Sequence, residues 1–193
     1  MKNVALKFFL ILIIIQGSTG QQNLVFAQNS YKNYIEQADS NLYKDPKISL
    51  KFLDSIPLPL KKSIKGNLTN YYFTRGFANY ELDNLPKTHK NFLLAIEAAE
   101  QEKEYDLGGK VCIELYNIEL EGDIENREKI LIKARYFFNK TKNADGLLEV
   151  EQQYANRAFS QNNFKECIRL NLEIIERTRK TKNQHLRMVS TFM

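Results

Sequence analysis

The sequence predicts an all-α protein, an α-solenoid of about four helical hairpins with a partial fifth, and three observations carry that expectation. From Ala27 onward no run of alternating apolar and polar residues is long enough to argue for a strand. Amphipathic segments of helix length follow one another instead, separated by short polar breaks. The second segments of successive pairs also share one frame. Ser49, Thr88, Arg127 and Cys167 lie 39, 39 and 40 residues apart, and the position seven further on reads Ile56, Ala95, Ala134 and Ile174, apolar throughout. A fixed period of this length marks hairpins that bury their apolar faces against their neighbours.

The first unit, about 31–60, carries the stripe Tyr31, Ile35, Ala38 and Leu42, a break at Asp45-Pro46, and a second stripe of Ile48, Phe52 and Ile56. Asp45 is placed to cap the second helix, and Pro46 suits its first turn, where a missing N–H costs nothing. The second unit, about 61–104, carries Leu68, Tyr72, Phe73, Phe77 and Tyr80, then Asp83-Asn84, then Phe92, Ala95, Ile96 and Ala99. The third, about 105–143, has Val111, Leu115 and Ile118 before Gly122-Asp123, and Ile130, Leu131, Ala134, Phe137 and Phe138 after it. Gly108-Gly109 reads as a helix junction, since no strand or phosphate-loop pattern surrounds it. The fourth, about 144–182, has Leu147, Val150, Tyr154 and Ala158, then Asn162-Asn163, then Phe164, Ile168, Leu172 and Ile175. Asn163 with Glu166 three residues on resembles a capping box. Residues 183–193, with Leu186, Val189 and Met193, read as the start of a truncated fifth repeat, so the chain is expected to be a piece of a longer protein.

The run Tyr72 to Tyr80 with Gly76 and Ala78, the polar turn Asp83-Asn84, and Phe92 with Ala95 together resemble a tetratricopeptide repeat. Tyr154 to Phe159 with Asn162, Asn163, Phe164 and Cys167 is similar, and as a pattern the resemblance covers about 31–182. The period exceeds the family's roughly 34 residues, Trp and the closing Pro are missing, and Arg127 stands where a small residue belongs. The resemblance implies a right-handed α-solenoid whose concave groove takes a protein or peptide partner through first-helix side chains, with Tyr71, Asn79 and Tyr116 as the candidate contacts. It also resembles the exported sensor regions of bacterial signalling proteins, in which such repeats precede a membrane span and an output domain. A stand-alone scaffold of the cell envelope is the alternative.

Lys2 and Lys7 precede the apolar run Phe8 to Ile15, which has the length of a signal-peptide core and is too short to span a bilayer. Residues 1–27 are therefore expected to be a signal peptide cleaved after Ala27, directing the chain to the periplasm or cell envelope; a second cleavage candidate lies near Gly17 to Gly20. Membrane association is expected only through this peptide or through a segment beyond residue 193. The net charge of +5 comes from basic residues interspersed with acids, with a small cluster at Arg177, Arg179, Lys180 and Lys182, and no nucleic-acid partner is expected.

No catalytic, cofactor or metal-binding pattern emerges, so a binding protein is expected and not an enzyme, with a helical enzyme of unrecognised site as the second alternative. His89 and His185 are isolated from other ligands. Glu97, Glu100, Glu102 and Glu104 read as a solvent face. Cys112 and Cys167, in different helices and without metal or redox spacing, read as buried free thiols. The signal-peptide reading predicts that the mature protein exported by an expressing bacterium begins at Gln28, which intact-mass spectrometry checks; a mature species that retains Met1 contradicts it.

Overall fold

The computed structural model describes residues 31–56, 67–118 and 124–178, and among them every regular element is a helix. In chain order these are α1 (31–41), α2 (Pro46–Asp54), α3 (Leu68–Tyr80), α4 (Leu85–Glu102), α5 (Tyr105–Ile118), α6 (Ile124–Thr141), α7 (Ala144–Ser160) and α8 (Phe164–Thr178). The expected signal peptide (1–27), the Gly122-Asp123 turn and the fifth repeat (183–193) lie outside the described residues.

Side chains from the turns set the helix starts. Asp45 accepts the N–H groups of Lys47 and Ile48 at 3.0 and 3.1 Å, with Pro46 in the first turn of α2. Asn84 caps α4, Asn143 caps α7, and Asn163 accepts the Glu166 N–H at 3.3 Å. The Glu166 carboxylate binds Arg169. Four helix ends share one closing geometry. Asp83, Lys103, Lys142 and Asn162 have φ of 55°, 61°, 56° and 57°. The next residue in each case bonds back five positions: Asn84 to Asn79, Glu104 to Ala99, Asn143 to Phe138 and Asn163 to Ala158. Left-handed backbone costs about 1–2 kcal/mol where no glycine relieves it, so this reversal is held by the packing that follows it.

Every described frame position except Arg127 is buried: Ser49, Thr88 and Cys167, and seven residues on Ile56, Ala95, Ala134 and Ile174. The fourth residue of the frame is Leu53, Phe92, Leu131 and Asn171, also buried. Ser49 donates to the Ala38 carbonyl at 2.7 Å, tying α2 to α1. Phe92 covers Gly76, where a Cβ would stand 2.3 Å from the ring. Gly108 and Gly109 lie inside α5, pressed against Phe137 and Phe138, and mark close helix approach where a junction was expected. Each helix from α2 to α8, the α5–α6 and α7–α8 pairs included, packs on the next in sequence; α3 also touches α5, and α5 touches α7.

The stripe read for α8 from apolar residues alone is out of phase, and that read for α2 departs at Ile48, while Phe52 and Ile56 pack on the core. On α8 the buried face is Cys167, Asn171, Ile174 and Thr178, whereas Phe164, Ile168 and Leu172 face outward, the last two 58% and 61% exposed. On α2 the buried face is Ser49 and Leu53, and Ile48 is exposed. Asn171 is accommodated in the interior because its amide donates to the Cys167 carbonyl and accepts from Gln152. Glu102 is also not a solvent residue. Its two oxygens accept the N–H groups of Leu68 and Thr69 at 3.1 Å and the Thr69 hydroxyl at 3.0 Å, so the end of α4 caps the start of α3.

Phe92→Ala is expected to cost about 3–5 kcal/mol, while Leu93→Ala beside it, 48% exposed, costs under about 1 kcal/mol. Urea denaturation of the two variants checks the helical phase; equal losses contradict it.

Candidate functional site

The three residues expected to contact a peptide are all buried: Tyr71 and Asn79 at 4% exposure and Tyr116 at 3%. Tyr71 packs among Tyr31, Ile35, Leu53 and Ile56, with its hydroxyl accepting from Arg75 at 3.3 Å. Arg75 is fixed in turn by Asp54 at 2.7 Å. Asn79 donates its amide to the Arg75 carbonyl at 2.7 Å, one turn back on α3. Both are packing residues. Their side-chain polarity suggested a groove wall, and the helix phase turns them inward. Tyr116, at the end of α5, packs beside Leu131 and Phe138 and borders a cleft.

That cleft, of about 430 Å³, lies between α5, α6 and α7 and is lined by Tyr116, Asn117, Arg127, Gln153, Asn156, Arg157 and Ser160. The Arg127 guanidinium carbon sits 4.4 Å above the Tyr116 ring centroid, within cation–π range. Its Nε–H is buried with no acceptor. Arg157, by contrast, binds Glu128, which also accepts the Tyr154 hydroxyl at 2.9 Å. Burial and then the Glu128 carboxylate push the Tyr154 phenol up to about 12. Burial acts to raise Glu128, but the Tyr154 and Arg157 hydrogen bonds outweigh it and hold the carboxyl below its ordinary range. On α5, burial pushes the Glu114 carboxyl up despite a hydrogen bond from Asn117, and Glu149 adds to the rise.

A second cleft, of about 470 Å³ and mostly apolar, opens between α4, α5 and α6. Leu93, Ile96, Leu115 and Ile130 line it, Cys112 lies at its floor, and His89, Lys129 and Lys133 stand at its edge. Lys133 reaches Glu100 at 2.8 Å and Lys129 reaches Glu125 at 2.8 Å. One repeat on, the positions of His89 and Ile96 are taken by Glu128 and Arg135, which gather around Tyr154. The later junction therefore carries charged side chains around Tyr154 at the positions where the earlier one is apolar or neutral. Sequence reasoning missed this cleft because its residues come from three helices; among the lining residues only Leu93, apolar yet outside the buried frame, hinted at it.

Burial pushes the Cys112 thiol up to about 12 against a lowering influence of Lys133, so it is an unreactive thiol at neutral pH. Cys112 and Cys167 are both free and buried. Among the described residues no group of three or more His, Cys, Asp or Glu is placed to hold a metal ion, and no helix is long and apolar enough to cross a membrane. His185 lies outside the described residues. Compared with protein families, curated proteins and solved structures, the chain gives no match.

Glu114 and Glu128 titrate in opposite senses, which gives a paired pH test. The raised Glu114 contributes stability that is complete below the unfolded carboxyl range and lost as pH rises through its folded value. The depressed Glu128 contributes stability present above the unfolded range and lost as pH falls through its folded value. Thermal melts at pH 7 should show Glu114→Gln more stable than the parent and Glu128→Gln less stable, with both differences shrinking towards pH 3; the reverse order contradicts the assignment.

Proposed function

We propose that this chain is an exported protein-interaction module whose tetratricopeptide-like hairpins stack as a right-handed α-solenoid and hold a protein or peptide partner. The observation that carries the reading is the buried frame. Residues 39 or 40 apart take equivalent inward places on α2, α4, α6 and α8, with Arg127 the sole departure among them. The contacts of α3 with α5 and of α5 with α7 agree with first helices lying side by side, as stacked hairpins require. Export rests on Lys2, Lys7, the apolar run Phe8 to Ile15 and the cleavage motif ending at Ala27.

The partner contributes an apolar side chain to the cleft over Leu93, Ile96, Leu115 and Ile130, where a few fully desolvated contacts supply most of the binding energy. The module acts by binding, as the sensory or scaffold portion of a larger bacterial signalling protein.

Selection of a displayed random-peptide library on the full chain is the test. Peptides with one conserved apolar anchor are expected to bind with micromolar Kd and to lose at least about tenfold affinity against Leu93→Lys, which places a charge at the exposed mouth of the cleft. Failure to enrich any sequence, or binding indifferent to Leu93→Lys, overturns the reading.

A further inference from the structure

We propose that the polar cleft between α5, α6 and α7 binds a small organic monocarboxylate bearing hydroxyl groups, with the Arg127 guanidinium as its anchor. The argument begins with the frame. Ser49, Thr88 and Cys167 show that a small side chain suits this position of a second helix, and all three are buried. Arg127 brings to the same position a charge that cannot be titrated away. Packing gives no reason for it, and its side chain reaches the cleft by lying across Tyr116 at 4.4 Å.

Among the described residues the charge is also unmatched. Four other cations that bridge helices each meet a carboxylate: Arg75 meets Asp54, Lys133 meets Glu100, Arg157 meets Glu128 and Arg177 meets Glu151. Among the described residues no carboxylate pairs with Arg127, and its Nε–H is buried without an acceptor. A partly buried cation left this way is costly, and an anion from outside removes the cost.

The surroundings specify which anion. Arg157 is already neutralised by Glu128, which leaves one guanidinium for one negative charge. A carboxylate matches that in charge and in planar shape, whereas inorganic phosphate near neutral pH is a tetrahedral mixture of monoanion and dianion and brings surplus negative charge. The planar guanidinium, steadied on the Tyr116 ring, offers paired N–H donors that fit a carboxylate face. Asn117, Gln153, Asn156 and Ser160 line the rest of the cleft with amide and hydroxyl groups able to pair with ligand hydroxyls, and about 430 Å³ is room for a small molecule.

Isothermal titration of the full chain with gluconate, glucose and inorganic phosphate tests the proposal. Gluconate is expected to bind, and glucose and phosphate to bind at least about tenfold more weakly, because each forfeits a charge-assisted pair or adds an unmatched charge. Arg127→Gln should weaken gluconate by about tenfold or more. Asn156→Asp, which supplies an internal counter-ion in the cleft, should abolish gluconate binding while raising the melting temperature; it keeps the test decisive if Arg127→Gln fails to fold. Absence of gluconate binding, phosphate binding as tight as gluconate, or gluconate affinity unchanged in Asn156→Asp overturns the proposal. No peptide takes part in these titrations, so their outcome is separate from that of the peptide-binding reading.

Discussion

Phe92 presses against Gly76 with no space for a side chain between them, and Phe137 and Phe138 crowd Gly108, Gly109 and Gly146 in the same way. These aromatic-on-glycine contacts let helices approach closely enough that the frame residues of α4 and α6 reach the interior. Much of the remaining structure follows from that approach. The left-handed turn residues Asp83, Lys103, Lys142 and Asn162 cost conformational energy that close packing of the flanking helices offsets. The cross-helix ties, Glu102 onto the start of α3 and Asp106 onto Thr141 and Asn143, form because the helix ends are brought together.

The helical class, the turn at Asp83-Asn84, the Asp45 and Asn163 caps and the buried frame were all legible in the sequence, because each rests on local chemistry or on a period that survives several repeats. The inward face of α8 and the exposure of Ile48 on α2 were not. Ile48, Phe164, Ile168 and Leu172 are the larger apolar residues, yet Ser49, Cys167 and Asn171 hold the inward places. Hydrophobicity alone could not separate an inward face from an exposed apolar one; the alignment of equivalent positions could, since small residues recur where helices cross closely. The cap made by Glu102 and the burial of Tyr71 and Asn79 were not legible for a related reason. Their roles depend on which neighbouring element faces them, and a single helix does not reveal that.

The two clefts show how one repeat geometry yields different chemistry. Between α4 and α6 the edge carries His89 and Ile96 and the wall is apolar; one repeat on, Glu128 and Arg135 gather with Arg157 around Tyr154. Arg127 departs from the frame in the third hairpin alone and leaves a guanidinium at the edge of a polar cleft. The frame thus constrains packing while residues just beside it set the chemistry that lines each junction. This division between repeated spacing and variable lining suits the interaction module proposed above.

Distance measurement between spin labels tests the stacking directly. Leu93, Ile132 and Leu172 are exposed positions 39 and 40 residues apart on α4, α6 and α8, and the native Cys112 and Cys167 are buried and slow to label. Cysteines introduced in pairs at these three sites and read by pulsed electron paramagnetic resonance should give equal Leu93–Ile132 and Ile132–Leu172 distances, with Leu93–Leu172 much longer than either. A Leu93–Leu172 distance no longer than the other two would place the helices in a closed bundle and contradict the stacked-hairpin account.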